Sequence, residues 1–239
     1  MSADDYVLVQ GMRDTRGALE RWQRDPGPVL RAWFAWSLLV AVGLLGAVWV
    51  VAGIATPDEG PISLPGITHQ ATAADLAPVL ARNALVLALH ATACVAGFIA
   101  GSSMRHEAAR RTGFSRVVHE KAGLVAIAFV VAATCFSLTT QAYVLGSSAS
   151  TLADDIGMTP ATLILTVVPH AVPELVALFL PLAAWLIASR NDDWQDLLAA
   201  TFVTVGLAIP ILVVAALIEV YIWPQILTSI APFAGLVHG

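Results

Sequence analysis

The stretch AWFAWSLLVAVGLLGAVWVVAGI, residues 32–54, runs for 23 residues without one charged side chain. A helix needs about 20 mostly apolar residues to cross the hydrocarbon core of a bilayer. In that core only helices and closed barrels satisfy their own backbone hydrogen bonds. The stretch does not alternate apolar and polar side chains as a barrel strand does, so it reads as a transmembrane helix. Its apolar run is longer than the roughly 7–15 residues of a signal-peptide core, and about 30 residues precede it. It is therefore expected to be a retained span.

Four more stretches share this character: 83–103, 122–145, 161–188 and 197–222. The fourth, with its 28 residues, would be about 42 Å long as a straight helix, so it is expected to tilt, kink or protrude. Composition agrees. Hydrophobic residues make up 58% of the 239-residue chain and charged residues 12%, about half the roughly 25% charge of a soluble domain. A water-soluble globule is excluded, and so is a disordered chain. A net charge of -5 offers no general attraction to nucleic-acid phosphates. Cys94 and Cys135 both lie in apolar runs, as buried thiols do and disulfide frameworks do not. The expected fold is all-α, a polytopic membrane bundle of five helices in a multi-pass cell-membrane protein.

Orientation follows from the basic residues. Arg13, Arg16, Arg21, Arg24 and Arg31 precede the first span. Arg105, Arg110, Arg111, Arg116 and Lys121 lie between the second and third, and Arg190 follows the fourth. The opposite side has only Arg82. Lys and Arg concentrate in cytoplasmic loops, so the N-terminus is expected inside the cell and the C-terminus outside. Trp33, Trp36, Trp49, Trp194 and Trp223 fall near span ends, where interfacial aromatics belong.

Three regions result. Residues 1–29 read as a cytoplasmic amphipathic segment lying on the inner leaflet and stopped by Pro26-Gly27-Pro28. Residues 30–223 form the five-span domain, and 224–239 an extracytoplasmic interfacial tail. In the 55–82 loop, Thr72-Ala-Ala-Asp75 has the spacing of a helix start.

Ionisable residues inside spans are costly and mark candidate sites. Here they are His90, His170, Glu174 and Glu219, with Gln141 as a neutral companion. Counted at about 1.5 Å per residue from the outer span ends, all five fall in the outer half of the membrane or near its middle. His170 and Glu174, four apart, share a helix face. Pro169 and Pro173 flank them, and each removes one backbone hydrogen bond and frees a carbonyl, which predicts helix kinks. The cluster can hold a cation, a proton or a polar headgroup, or its members can satisfy each other. No spacing of metal ligands, no catalytic nucleophile motif and no cofactor motif is present, so neither an enzyme nor a cofactor is expected. Gly97 and Gly101 form a GxxxG pattern that allows close helix approach, either within one chain or between two copies in a homodimer.

Several segments together resemble the stage II sporulation protein M family of membrane proteins. Val168-Pro-His-Ala-Val-Pro-Glu-Leu175 is similar to that family's Pro-His-Gly-x-x-Glu-Leu signature, with Ala171 in place of the usual glycine. Asn83 followed by the span carrying Gly97 and Gly101 resembles its second span. Ala216-Leu-Ile-Glu-Val-Tyr-Ile-Trp-Pro224 resembles its C-terminal stretch. The resemblance covers about residues 30–225. It implies five spans and a non-enzymatic scaffold or accessory subunit of a membrane complex, with membrane or envelope protein partners and a link to envelope remodelling. The polar cluster itself suggests a transporter or lipid-handling protein with an outward-facing cavity.

Overall fold

The computed structural model describes residues 7–58, 64–103 and 114–230. Its helices are α1 (Val7–Arg24), α2 (Gly27–Ile54), α3 (Ala73–Phe98, continued by a π-helical turn Ile99–Ser103), α4 (Phe114–Asp155), α5 (Pro160–Asn191), α6 (Leu197–Leu217, continued by a π-helical turn Ile218–Ile222) and α7 (Trp223–Ile230). Among the described residues there is no β-strand, and five helices are long and apolar enough to cross a membrane. They outrun the apolar stretches that announce them. The second begins at Ala73, where Asp75 accepts hydrogen bonds from the Thr72 backbone N–H and hydroxyl, both 2.8 Å. That is the helix start expected from the spacing. The expected tail beyond residue 230 and the basic segment 104–113 lie outside the described residues.

The chain forms two compact units. The first takes residues 1–37, 86–135 and 178–208. Its core is built on aromatic side chains. Trp185 and Trp194 meet edge to face at 6.1 Å, and Cys94, Phe98 and Leu197 are buried with them. Trp33 packs with Leu180, Ala184 and Ala200, with Trp22 edge-on at 5.1 Å. Trp33 and Trp194 are thus core residues rather than interfacial anchors, being 3% and 5% exposed.

Helix α1 packs against the rest of the first unit. Its Ala18 is fully buried, and Gly11 faces Phe98 and Leu198. Arg21 donates two hydrogen bonds to the Asp196 carboxylate, at 2.6 and 2.8 Å. Part of its apolar face therefore packs on the chain itself, while Met12 is exposed. The break before α2 is also shorter than expected, because Pro28 is accommodated in the first turn of α2, where its missing N–H costs nothing.

The second unit takes residues 38–85, 136–177 and 209–239. Ala153, Ile156, Leu163, Trp223 and Leu227 form its core, with Leu64 and Ile67 of the α2–α3 loop packed against it. Gly66, at φ +78°, lets that loop pass over Pro224, where a Cβ would come within 2.8 Å of the proline ring. Glycine is needed there for both its φ and its size. Helix α7 is thereby held by its buried Trp223, Pro224 and Leu227.

Candidate intramembrane polar site

The second unit contains a cavity of about 230 Å³. Its apolar wall comes from α2 (Leu45, Val48), α4 (Leu145, Ala149, Leu152) and α5 (Leu163, Ile164, Val167). Arg82, His170, Glu174, Glu219 and Trp223 supply the polar lining. Leu145 and Ser148 are exposed, so the cavity is open on that side.

Each polar side chain has a local reason for its place. His170 and Glu174 lie one turn apart on α5, on the same face. The His170 ring meets Trp223 edge to face at 5.8 Å. The Trp223 indole N–H donates to the Thr166 hydroxyl at 3.0 Å, and that hydroxyl donates to the Leu163 carbonyl at 2.7 Å. Glu219 sits in the π-helical turn between α6 and α7, where the Trp223 N–H reaches the Ile218 carbonyl five residues back. Pro224 follows directly. It has no N–H to offer the Val220 carbonyl, and its ring crowds that carbonyl. The widened turn absorbs this mismatch and brings Glu219 to the cavity; such π-turns recur at functional sites.

Arg82 makes an ion pair with Glu219, Nη2 to Oε1 at 3.5 Å. Glu174 is close enough to feel both Glu219 and Arg82, and the buried Asn83 lies beside it. The site thus sets two carboxylates against one guanidinium. Three of its atoms, Asn83 Nδ2, His170 Nδ1 and Glu219 Oε2, are buried without a hydrogen-bond partner.

The structure brings together three of the five polar residues singled out from the sequence: His170, Glu174 and Glu219. Gln141 instead donates to Ser137 on its own helix at 3.0 Å and does not line the cavity. His90 belongs to the first unit, where its Nδ1–H donates to the Leu178 carbonyl at 2.8 Å and its ring packs on Phe179 at 5.4 Å. Helix α5 stays helical through Pro169 and Pro173. Gly97 and Gly101 pack inside the first unit, against Trp185 and Leu197 and against Trp194 respectively, so this seam is filled within one chain.

Sequence reasoning missed Arg82, Asn83 and Trp223 as site residues. Arg82 had a signal: it is the one basic residue set apart from eleven others. Nothing matches this chain: no family model, no curated protein and no solved structure. The site therefore rests on its own chemistry.

Proposed function

We propose that this chain is a non-enzymatic multi-pass membrane protein that binds a ligand in the Arg82–His170–Glu174–Glu219 cavity, as a lipid- or solute-handling component. One observation carries the reading: an open cavity with an apolar wall is also lined by two carboxylates and one guanidinium, with buried polar atoms left unpaired. Most buried polar groups have partners, and the residues carrying two of these unpaired atoms, His170 and Glu219, line the cavity.

The test uses Ala171→Phe, which fills the cavity without touching a charge. Native mass spectrometry of the wild-type protein should find a bound small molecule from its membrane, and Ala171→Phe should lack it at an unchanged melting temperature. A folded Ala171→Phe carrying the same adduct, or no adduct on either protein, would refute the reading.

The orientation proposed has the N-terminus in the cytoplasm and the cavity toward the outside. Its support is that eleven of the twelve Lys and Arg residues fall in the N-terminal segment and the loops after the second and fourth spans, and only Arg82 on the opposite side. In a chain with Cys94 and Cys135 replaced by alanine, cysteine at Asp155 should react with an impermeant thiol reagent added to intact cells. Cysteine at Asn191 should react only after lysis. Both positions are exposed. The reverse pattern would overturn the assignment.

A second reading, the scaffold or accessory subunit of the stage II sporulation protein M type, has one observation in its favour. The two stretches most similar to that family pack on each other through His170 and Trp223. Crosslinking in native membranes that captures the same envelope protein with wild type and Ala171→Phe would favour it over ligand handling.

A further inference from the structure

We infer that the ligand of this cavity is a primary ammonium on an apolar body, the chemistry of an aminophospholipid headgroup or of a free alkylamine. The inference rests on the ligand-binding reading above and specifies its substrate class.

Charge comes first. The second unit has seven Asp and Glu residues against one Arg, so its field favours a cation. Within the cavity the same imbalance is local, with Glu174 and Glu219 facing Arg82 alone. Hydrogen bonding narrows the cation. A primary ammonium has three N–H donors. The cavity offers three acceptors: Glu219 Oε2 and His170 Nδ1, both without a partner, and the Glu174 carboxylate. His170 is 6% exposed, so no water competes strongly for its nitrogen, which accepts in the tautomer protonated at Nε2. Glu219 and His170 both line the cavity. A trimethylammonium has no N–H and would leave all three acceptors unmet.

Size and shape give the rest. A cavity of about 230 Å³ falls below the roughly 300–1,000 Å³ of sites that enclose drug-sized ligands. It takes a headgroup or a short amine, with any longer chain leaving through the open side. Leu45, Leu145 and Ile164 line the cavity, side chains suited to an alkyl chain. Arg82 holds Glu219 at only 3.5 Å, against 2.6 Å in the Arg21–Asp196 pair. Its planar fork retains donors able to bind a phosphate next to the ammonium.

Purified protein stripped of lipid would be titrated with phosphatidylethanolamine, phosphatidylcholine and phosphatidylglycerol of identical acyl chains, and with dodecylamine. Native mass spectrometry reads the bound fraction. Phosphatidylethanolamine should bind about tenfold tighter than the other two phospholipids, the scale of one charge-assisted hydrogen bond. Glu219→Gln should remove that preference; should that variant not fold, Glu174→Gln serves the same purpose, and the comparison of lipids on wild type needs no variant. Dodecylamine binding more tightly than phosphatidylethanolamine, and indifferent to Arg82→Gln, would identify the source as a free amine. The reverse would identify a lipid, and both uphold the ammonium site. Phosphatidylcholine or phosphatidylglycerol binding as well as phosphatidylethanolamine, with dodecylamine failing to compete, would overturn it. Ala171→Phe then separates the two readings. If it abolishes binding of the preferred lipid, the cavity is a ligand site for another headgroup. If it changes nothing, the ligand-binding reading falls as well.

Discussion

Gly101→Val should leave little folded protein in the membrane. A side chain at this position collides with the indole ring carbons of Trp194. That ring has nowhere to go. It is 5% exposed, packs edge to face with Trp185 at 6.1 Å, and donates its N–H to Asp192 at 2.7 Å. Overpacking a rigid core costs about 1–3 kcal/mol and sometimes more, and here the obstacle is a fixed ring rather than a flexible chain end. Gly97→Ala should cost less, because the nearest atoms, at 2.7–2.9 Å, include the flexible end of Leu197 as well as the Trp185 indole. Gly43→Ala, with no neighbour within 4 Å, should be neutral. Fluorescence-detected gel filtration after a heating series measures all three. A Gly101→Val protein that melts with wild type but changes its oligomeric size would mean that the glycines join two copies instead of packing inside one.

This packing shows where sequence reading succeeds and where it stops. The five helices that, among the described residues, are long and apolar enough to cross a membrane are legible because each carries an apolar run near bilayer length, a one-dimensional signal. The helix start at Thr72 is legible for the same reason, since its hydrogen bonds reach only to Asp75. Partners are another matter. The small residues at 97 and 101 announce a close approach without saying to what, and the answer, two tryptophans from around the α5–α6 turn, is some 90 residues away. The tryptophans mislead in the same way. Trp33, Trp194 and Trp223 sit near the ends of apolar runs, as interfacial anchors do, yet all three are buried in cores. Helix α1 has the alternation of a membrane-surface helix, and periodicity cannot tell a lipid surface from a protein one.

The site divides along the same line. His170 and Glu174 are joined by helix periodicity, so their association is readable four residues apart. Glu219 reaches them only because a proline two residues after the span forces a wider turn. His90 has the same intramembrane cost as His170; its Nδ1–H meets the Leu178 carbonyl, while its Nε2 is buried without a partner. Depth along the span is similar for both histidines and does not tell which ring nitrogen of each finds a partner. Arg82 reads from the sequence as an orientation residue, and in the structure it is the one Lys or Arg among the described residues that line the cavity.

That setting leads to the second large effect. Arg82→Leu should destabilise the purified protein by about 2 kcal/mol, because it leaves Glu219 and Glu174 facing each other without the cation. Breaking a buried ion pair by removing one partner costs about 3–5 kcal/mol. The smaller figure applies because the Arg82 side chain is 57% exposed and that of Glu219 25%, so solvent or headgroups screen part of the interaction. Arg82→Lys keeps the charge and loses the planar fork, and should fall between wild type and Arg82→Leu. The double variant Arg82→Leu/Glu219→Leu should recover most of the loss, since an apolar pair of similar volume can replace a buried ion pair at little cost. A thermal-unfolding double-mutant cycle in one detergent gives the coupling directly. If Arg82→Leu melts with wild type and the cycle closes to zero, the pair is an idle surface contact and the carboxylates are satisfied by another group. If the single variant is unstable and the double variant is no better, Arg82 acts on Glu174 rather than Glu219. Glu174→Gln in the Arg82→Leu background should then restore what Glu219→Leu does not.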